Sequence, residues 1–308
     1  MIRIIKKIIF NIVSRWPEYQ AVPEIKFRFL FLQKLRLIIF YYGSLVILTT
    51  AQKRKLQLTR KLRNSKKNQS VLIIASGPSA DTVLSKLAEK GRSNLKLDIA
   101  VVNSYYKSIF AEKIIPDYYF LADPFFWKNL AINEIHENNY LKKYLRLHQN
   151  VIPVIPFIFE DVIGNRLHYY FNNLTSYKKN NFLDPTKANL IPSSVVFNAI
   201  TFLHYLGYWP IYVCGLDVSL NRSLSVNNLN DTILTTNNLY FQTRRDFTNT
   251  EINELNLTRS GIKPENMSQA LFDESIMLRD LKLYSKFGIV NISQDDTNDS
   301  LPRASLFL

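Results

Sequence analysis

The chain has 308 residues, 47% hydrophobic and 21% charged, which supports a core of one large or two smaller domains and excludes a disordered composition. One cysteine, Cys214, excludes an intramolecular disulfide and a cysteine-cluster zinc site. The formal net charge of +14 belongs to one end: residues 1–70 hold sixteen of the 39 Lys/Arg and two of the 25 acids, leaving the remainder neutral.

Near the start, Ile5, Ile8, Ile9 and Ile12 share one helical face, with Arg3, Lys6 and Lys7 off it and Trp16 and Tyr19 following. Residues 27–48 are apolar and aromatic, interrupted by Arg28, Lys34 and Arg36. The uncharged part, 37–52, is shorter than the roughly 20 residues a membrane span requires. The pattern predicts an amphipathic segment, residues 1–69, lying on an anionic membrane surface, with a basic polar linker from Lys53 to Lys67 at its end. A helical hairpin packed on the body and nucleic-acid binding are weaker readings, since Ile and Leu dominate and no nucleic-acid motif is present. The expected location is cytoplasmic, on the inner face of the membrane.

Residues 71–74 are four apolar residues rich in β-branching, the pattern of a strand buried on both faces of a parallel sheet. They run into Ser76, Gly77, Pro78 and Ser79, then a helical pattern through Val83, Leu84, Leu87 and Ala88. In this reading Gly77 supplies an unusual backbone conformation, Pro78 opens the helix and Ser79 caps it. A strand, a turn of small residues and a helix N-terminus form an anion site wherever the N–H groups are free. The plain alternative is a sharp connection without a ligand.

Two further strands repeat the theme: 98–103 ends in Asn103 and Ser104, and 118–121 ends before Asp123. In open α/β sheets ligands bind beyond the carboxyl ends of strands, so these polar residues are expected in one crevice. Residues 151–156 read as a strand kept from the sheet interior by Pro153 and Pro156. Residues 165–187 read as surface loop and short helix. Ser193 and Ser194 open a helix that stops at Gly207, and residues 211–217 form a strand ending in Gly215 and Asp217. Residues 219–262, rich in Asn, Thr and Ser, are expected to be a substrate lid carrying Tyr240, Arg244 and Arg245. An amphipathic helix (267–286), an edge strand (289–293) and a tail (296–308) complete the chain. The four histidines show no metal-ligand spacing, and neither a Walker loop nor a Gly-x-Gly-x-x-Gly motif is present. The expected architecture is α/β: a Rossmann-like, doubly wound, mostly parallel sheet with a lid, spanning 70–295 and preceded by a basic, apolar helical segment.

The segments 74–79, 102–104, 122–124, 192–194 and 206–217 resemble those of the bacterial sialyltransferases of glycosyltransferase family 42. The resemblance implies a CMP-sugar donor substrate, no further cofactor and no metal. It places Ser76, Gly77, Pro78, Ser79, Asn103, Ser104, Ser193, Ser194, Gly215 and Asp217 at the nucleotide, and a glycan or glycolipid as acceptor. Family 42 enzymes use a histidine base between lid and last helix, but residues 215–308 hold none. Asp123 and Glu265 are the substitute candidates, with Tyr240, Arg244 and Arg245 at the leaving phosphate. The same Gly-Pro-Ser and Gly-Leu-Asp pattern also looks like the MptE-like hydroxymethylpterin pyrophosphokinases. That likeness implies ATP, with Asp123 and Asp217 holding Mg²⁺. A non-catalytic membrane-bound relative is the third reading.

Overall fold

The computed structural model describes residues 50–92, 95–122, 137–156, 169–171, 184–186, 194–217, 224–226, 232–234, 236–237, 245–246, 281–282, 284–293 and 300–305. All of them belong to one compact unit, residues 50–308.

The body is a seven-stranded sheet in which every neighbouring pair is parallel. Its strands are β1 (Val71–Ile74), β2 (Asp98–Val102), β3 (Tyr118–Phe120), β4 (Ile152–Pro156), β5 (Tyr169–Phe171), β6 (Ile211–Cys214) and β11 (Ile289–Asn291). The spatial order is β11-β6-β1-β2-β3-β4-β5. The chain therefore winds outward from β1 to β5, returns to the other side of β1 as β6, and ends at β11. This is the Rossmann-like, doubly wound α/β architecture expected from the strand pattern. The apolar run in β1 has its physical reason here, because all four residues are buried between two covered faces.

One face, with Val71, Ile73, Val102, Phe120 and Val213, packs on helix α4 (Val195–Leu206). α4 starts and stops as its sequence dictates. The Ser194 side chain accepts a bond from Val196 N, and Gly207 closes the helix in the left-handed region at φ 95°. On the other face Tyr119 meets Tyr144 of helix α3 (Glu137–Leu147), with ring centroids 6.0 Å apart. Helix α2 (Ala80–Lys90) follows β1 and buries Ala80, Val83, Leu84 and Leu87.

Four local expectations are revised. The basic stretch expected as a linker is helix α1 (Thr50–Lys61), built into the body. Leu56 and Thr59 are buried, and the Thr59 hydroxyl donates to Tyr170 O at 2.8 Å on β5. After α1, Asn64 N and Lys66 N donate to Tyr205 O and Leu206 O at the end of α4. Residues 169–171, expected in a loop, form the edge strand β5 on which α1 rests.

β4 lies inside the sheet despite its prolines. Ile152 N donates to Asp117 O and Val154 O accepts from Leu121 N, so alternate residues from 152 face β3. Pro153 therefore faces the β5 side, one level before β5 begins, and Pro156 faces the β3 side, beyond its last paired level. Each missing N–H falls where no ladder partner is required.

The final segment is also tied down. Asn291 N donates to Pro302 O, Ala304 N donates to Asn291 O, and Leu301 is buried in the core. Within the expected lid, β7 (Leu224–Val226) pairs antiparallel with β8 (Thr232–Leu234), and β9 (Thr236–Asn237) with β10 (Arg245–Asp246). Among the described residues no helix is long and apolar enough to cross a membrane.

Candidate active site at the β1/β6 switch point

The strand order reverses between β1 and β6, and in open α/β sheets the crevice outside such a switch point receives the ligand. Because the sheet is wholly parallel, the carboxyl ends of β1, β2, β3 and β6 share one edge. That edge brings together Ser76, Gly77, Pro78 and Ser79 after β1, Asn103 and Ser104 after β2, and Gly215 and Asp217 after β6. α4 ends beside residues 64–66, which precede β1 at the amino edge, so its other end, at Ser194, points to the carboxyl edge.

The β1 turn and the β6 end are bonded directly. Gly77 N donates to Gly215 O at 2.9 Å, and Ser79 N donates to Asp217 Oδ2 at 2.8 Å. The need for glycine at 77 is close approach: an added Cβ would stand 2.6 Å from Gly215 O and 2.8 Å from Asp217 Cγ. This corrects the conformational role expected for it. Positive φ belongs to Gly215, at 71°, where a Cβ would meet Ala75 O at 2.5 Å.

Ser79 does not cap α2 with its side chain. Its hydroxyl donates instead to Ser293 Oγ at 2.9 Å, and Ser293 Oγ accepts from Gly215 N at 3.1 Å. The Asp217 carboxylate takes the capping place, where negative charge is favoured by the helix dipole. Ala80 N and Asp81 N donate to Gly77 O and Pro78 O. The N–H groups of Gly77, Ser79, Ala80 and Asp81, expected to cradle an anion, thus have protein acceptors: Gly215 O and Asp217 Oδ2 after β6, and Gly77 O and Pro78 O within the turn. Asp81, in the first turn of α2, has its pKa raised, first by burial and then by the charge of Asp217. The edge therefore carries two interacting carboxylates.

Asn103 is held in the left-handed region at φ 39°. The fully buried Tyr119 hydroxyl donates to Asn103 O at 2.6 Å and accepts from Tyr106 N at 3.1 Å, while Asn103 Oδ1 accepts from Ala122 N at 3.4 Å. Two of these bonds hold Asn103 itself, one at its carbonyl and one at its side-chain oxygen, and fix it in a conformation that Asn tolerates better than most residues.

Asp123, Ser193, Tyr240, Arg244 and Glu265 lie outside the described residues. Arg245 is in β10, opposite Asn237. The edge also contains Ser293 and Asp81, which the sequence reading left out. Ser293 follows β11 as Asp217 follows β6, a polar residue just past an apolar strand, and that was the available signal. Among the described residues no group of three or more His, Cys, Asp or Glu is placed to hold a metal ion. Cys214 is buried at the end of β6, and burial pushes its thiol pKa up, against a nucleophilic role.

The amino edge is a separate ionic network. Asp98 accepts from Lys66 Nζ at 2.9 Å and from the Tyr208 hydroxyl, and Arg92 pairs with Asp117. A cavity of about 590 Å³ lies beside it, lined by Arg92, Pro116, Asp117, His148, Gln149 and Asn150. It sits across the sheet from the switch point. In open α/β sheets ligands bind at the carboxyl edge, opposite this network.

Fold and site thus define a parallel, Rossmann-like α/β protein with polar strand ends gathered on the carboxyl edge at its switch point. The family model described as 6-hydroxymethylpterin diphosphokinase MptE-like matches residues 47–223, and the chain belongs to this MptE-like family. No curated protein matches the sequence. Among solved structures it is similar to the MAf glycosyltransferase from Magnetospirillum magneticum AMB-1, at 16% identity and TM-score 0.43. That alignment covers 84% of this chain and 39% of the other, a likeness too distant to assign an activity.

Proposed function

We propose that the protein is a transferase that binds its donor as a nucleotide derivative at the β1/β6 switch point and passes a sugar from a CMP-type donor to a surface glycan or lipid-linked acceptor. The observation that carries the reading is the gathering of the polar ends of β1, β2 and β6 at that switch point, with the Asn103 main chain fixed by Tyr119. Glycosyl transfer requires a base for the acceptor hydroxyl and positive groups at the leaving phosphate. Asp123 or Glu265 would serve as base. The α4 start with Ser193 and Ser194, together with Tyr240, Arg244 and Arg245, would meet the phosphate. A lipid-linked acceptor would place the enzyme on the inner face of a membrane.

One observation favours a second reading, ATP-dependent diphosphoryl transfer as in the name of the family. Asp81 and Asp217 are hard oxygen donors beside the β1 turn, and such carboxylates suit a divalent cation that accompanies a triphosphate. Calorimetric titration of the full chain separates the readings. Binding of CMP or CDP without metal supports glycosyl transfer, and magnesium-dependent binding of ATP alone supports the second. No heat with any of them would overturn the nucleotide site itself.

A further inference from the structure

We infer that the outer face of α1 is a lipid-docking surface, fixed to the body, that seats the protein on an anionic bilayer. Between residues 50 and 69 the sequence holds eight Lys/Arg and no acid. Leu56 and Thr59 turn inward onto β5, and Lys55 Nζ lies 4.7 Å from the centre of the Tyr170 ring. Arg54, Leu58 and Lys61, spaced i, i+4, i+7, share another face of the helix, and all three are exposed. Leu58 stands 54% exposed between the two cations.

A basic–apolar–basic stripe on an outward helix face fits the headgroup boundary of a membrane, where cations meet lipid phosphates and the apolar side chain enters the acyl region. Charge complementarity selects an anionic partner, and Leu58 selects one with an apolar interior. In sequence α1 continues directly from residues 1–49, which carry eight further Lys/Arg, two acids, Trp16, Tyr19 and long apolar runs. The stripe adds a contact made by the body itself to the membrane-surface location expected for that segment from its sequence. Because α1 is hydrogen-bonded to the edge strand, lipid contact orients the sheet; a flexible linker would not. This inference holds whichever group the enzyme transfers.

The test uses full-length protein and phosphatidylcholine vesicles with and without phosphatidylglycerol. The triple variant Arg54→Glu, Leu58→Gln, Lys61→Glu should lose at least about tenfold in partitioning to the anionic vesicles. Its melting temperature and its nucleotide binding should match wild type, so failure of the surface is distinguishable from failure of the site. Unchanged partitioning would overturn the inference. So would a variant that keeps vesicle binding but loses affinity for a single-stranded oligonucleotide, which would make the partner nucleic acid. An independent readout is Leu58→Cys carrying an environment-sensitive dye, the native Cys214 being buried. Anionic vesicles should shift its emission to the blue, and no shift would also overturn the inference.

Discussion

Replacing Gly77 with alanine tests the geometry of the switch point. The backbone at 77 accepts a side chain, so any penalty must come from contact. The new Cβ would stand 2.6 Å from Gly215 O, a main-chain atom, and closer still to Asp217 Oδ2. Gly215 cannot retreat, because it is packed so closely on β1 that a Cβ built on it would stand 2.5 Å from Ala75 O, and its carbonyl accepts from Gly77 N. Asp217 must therefore swing away and release Ser79 N. Overpacking of this sort costs about 1–3 kcal/mol, and a hydrogen bond to a charged acceptor is worth about 1.5–3 kcal/mol. Together the loss is roughly 3–5 kcal/mol, or a melting temperature lower by about 10 °C for a domain of this size. Denaturant and thermal unfolding of Gly77→Ala, Asp217→Ala and the double variant would measure it. The double variant should lose less than the sum of the singles by more than about 1 kcal/mol. A Gly77→Ala protein that melts within about 2 °C of wild type, or a pair that is strictly additive, would refute the reasoning.

Further outcomes follow from individual contacts. Asp81 has a folded pKa above its ordinary 3.8, so folding favours its protonated form. Its ionisation costs stability above the folded pKa, and that cost disappears as pH falls to 3.8 and below. Asp81→Asn should accordingly stabilise the protein at neutral pH and match wild type near pH 3.8 and below, as read from unfolding midpoints across that range. Tyr208→Phe removes the hydroxyl that bonds Asp98 at the amino edge. It should cost about 1.5–3 kcal/mol in denaturant unfolding while leaving nucleotide binding at the opposite edge unchanged. Thr59→Val removes the bond from α1 to Tyr170 O on β5. Hydrogen exchange should then quicken in residues 50–61 before it does in β1, with about 0.5–1.5 kcal/mol lost globally.

Much of the framework was legible in the sequence because its causes are local. The β-branched run 71–74 has no polar position, which only a strand covered on both faces tolerates, and β1 is such a strand. Ser194 and Gly207 bracket α4 because a side-chain acceptor and a left-handed residue are requirements of any helix's ends. The polar residues just past β1, β2 and β6 were readable as lying on one edge, since parallel strands put all their carboxyl ends on one side. Strand order was not readable in this way, and neither were the contacts that it creates.

Ser79 looked like a helix cap, yet its partners are Asp217 and Ser293, 138 and 214 residues away. Gly77 looked like a residue chosen for its φ and is one chosen for the nearness of β6. Pro153 and Pro156 looked unfit for the sheet interior until the stagger of β3 and β5 showed that neither missing N–H has a ladder place to fill. The basic run after residue 50 looked like a tether because its buried contacts are few, Leu56 and Thr59, and the strand that receives them lies more than a hundred residues downstream. Propensity and periodicity act within a turn or two of the chain and therefore determine the elements. Which polar group meets which is decided when distant segments compete for the same hydrogen bonds in a closed interior, and that competition exists only in the folded protein.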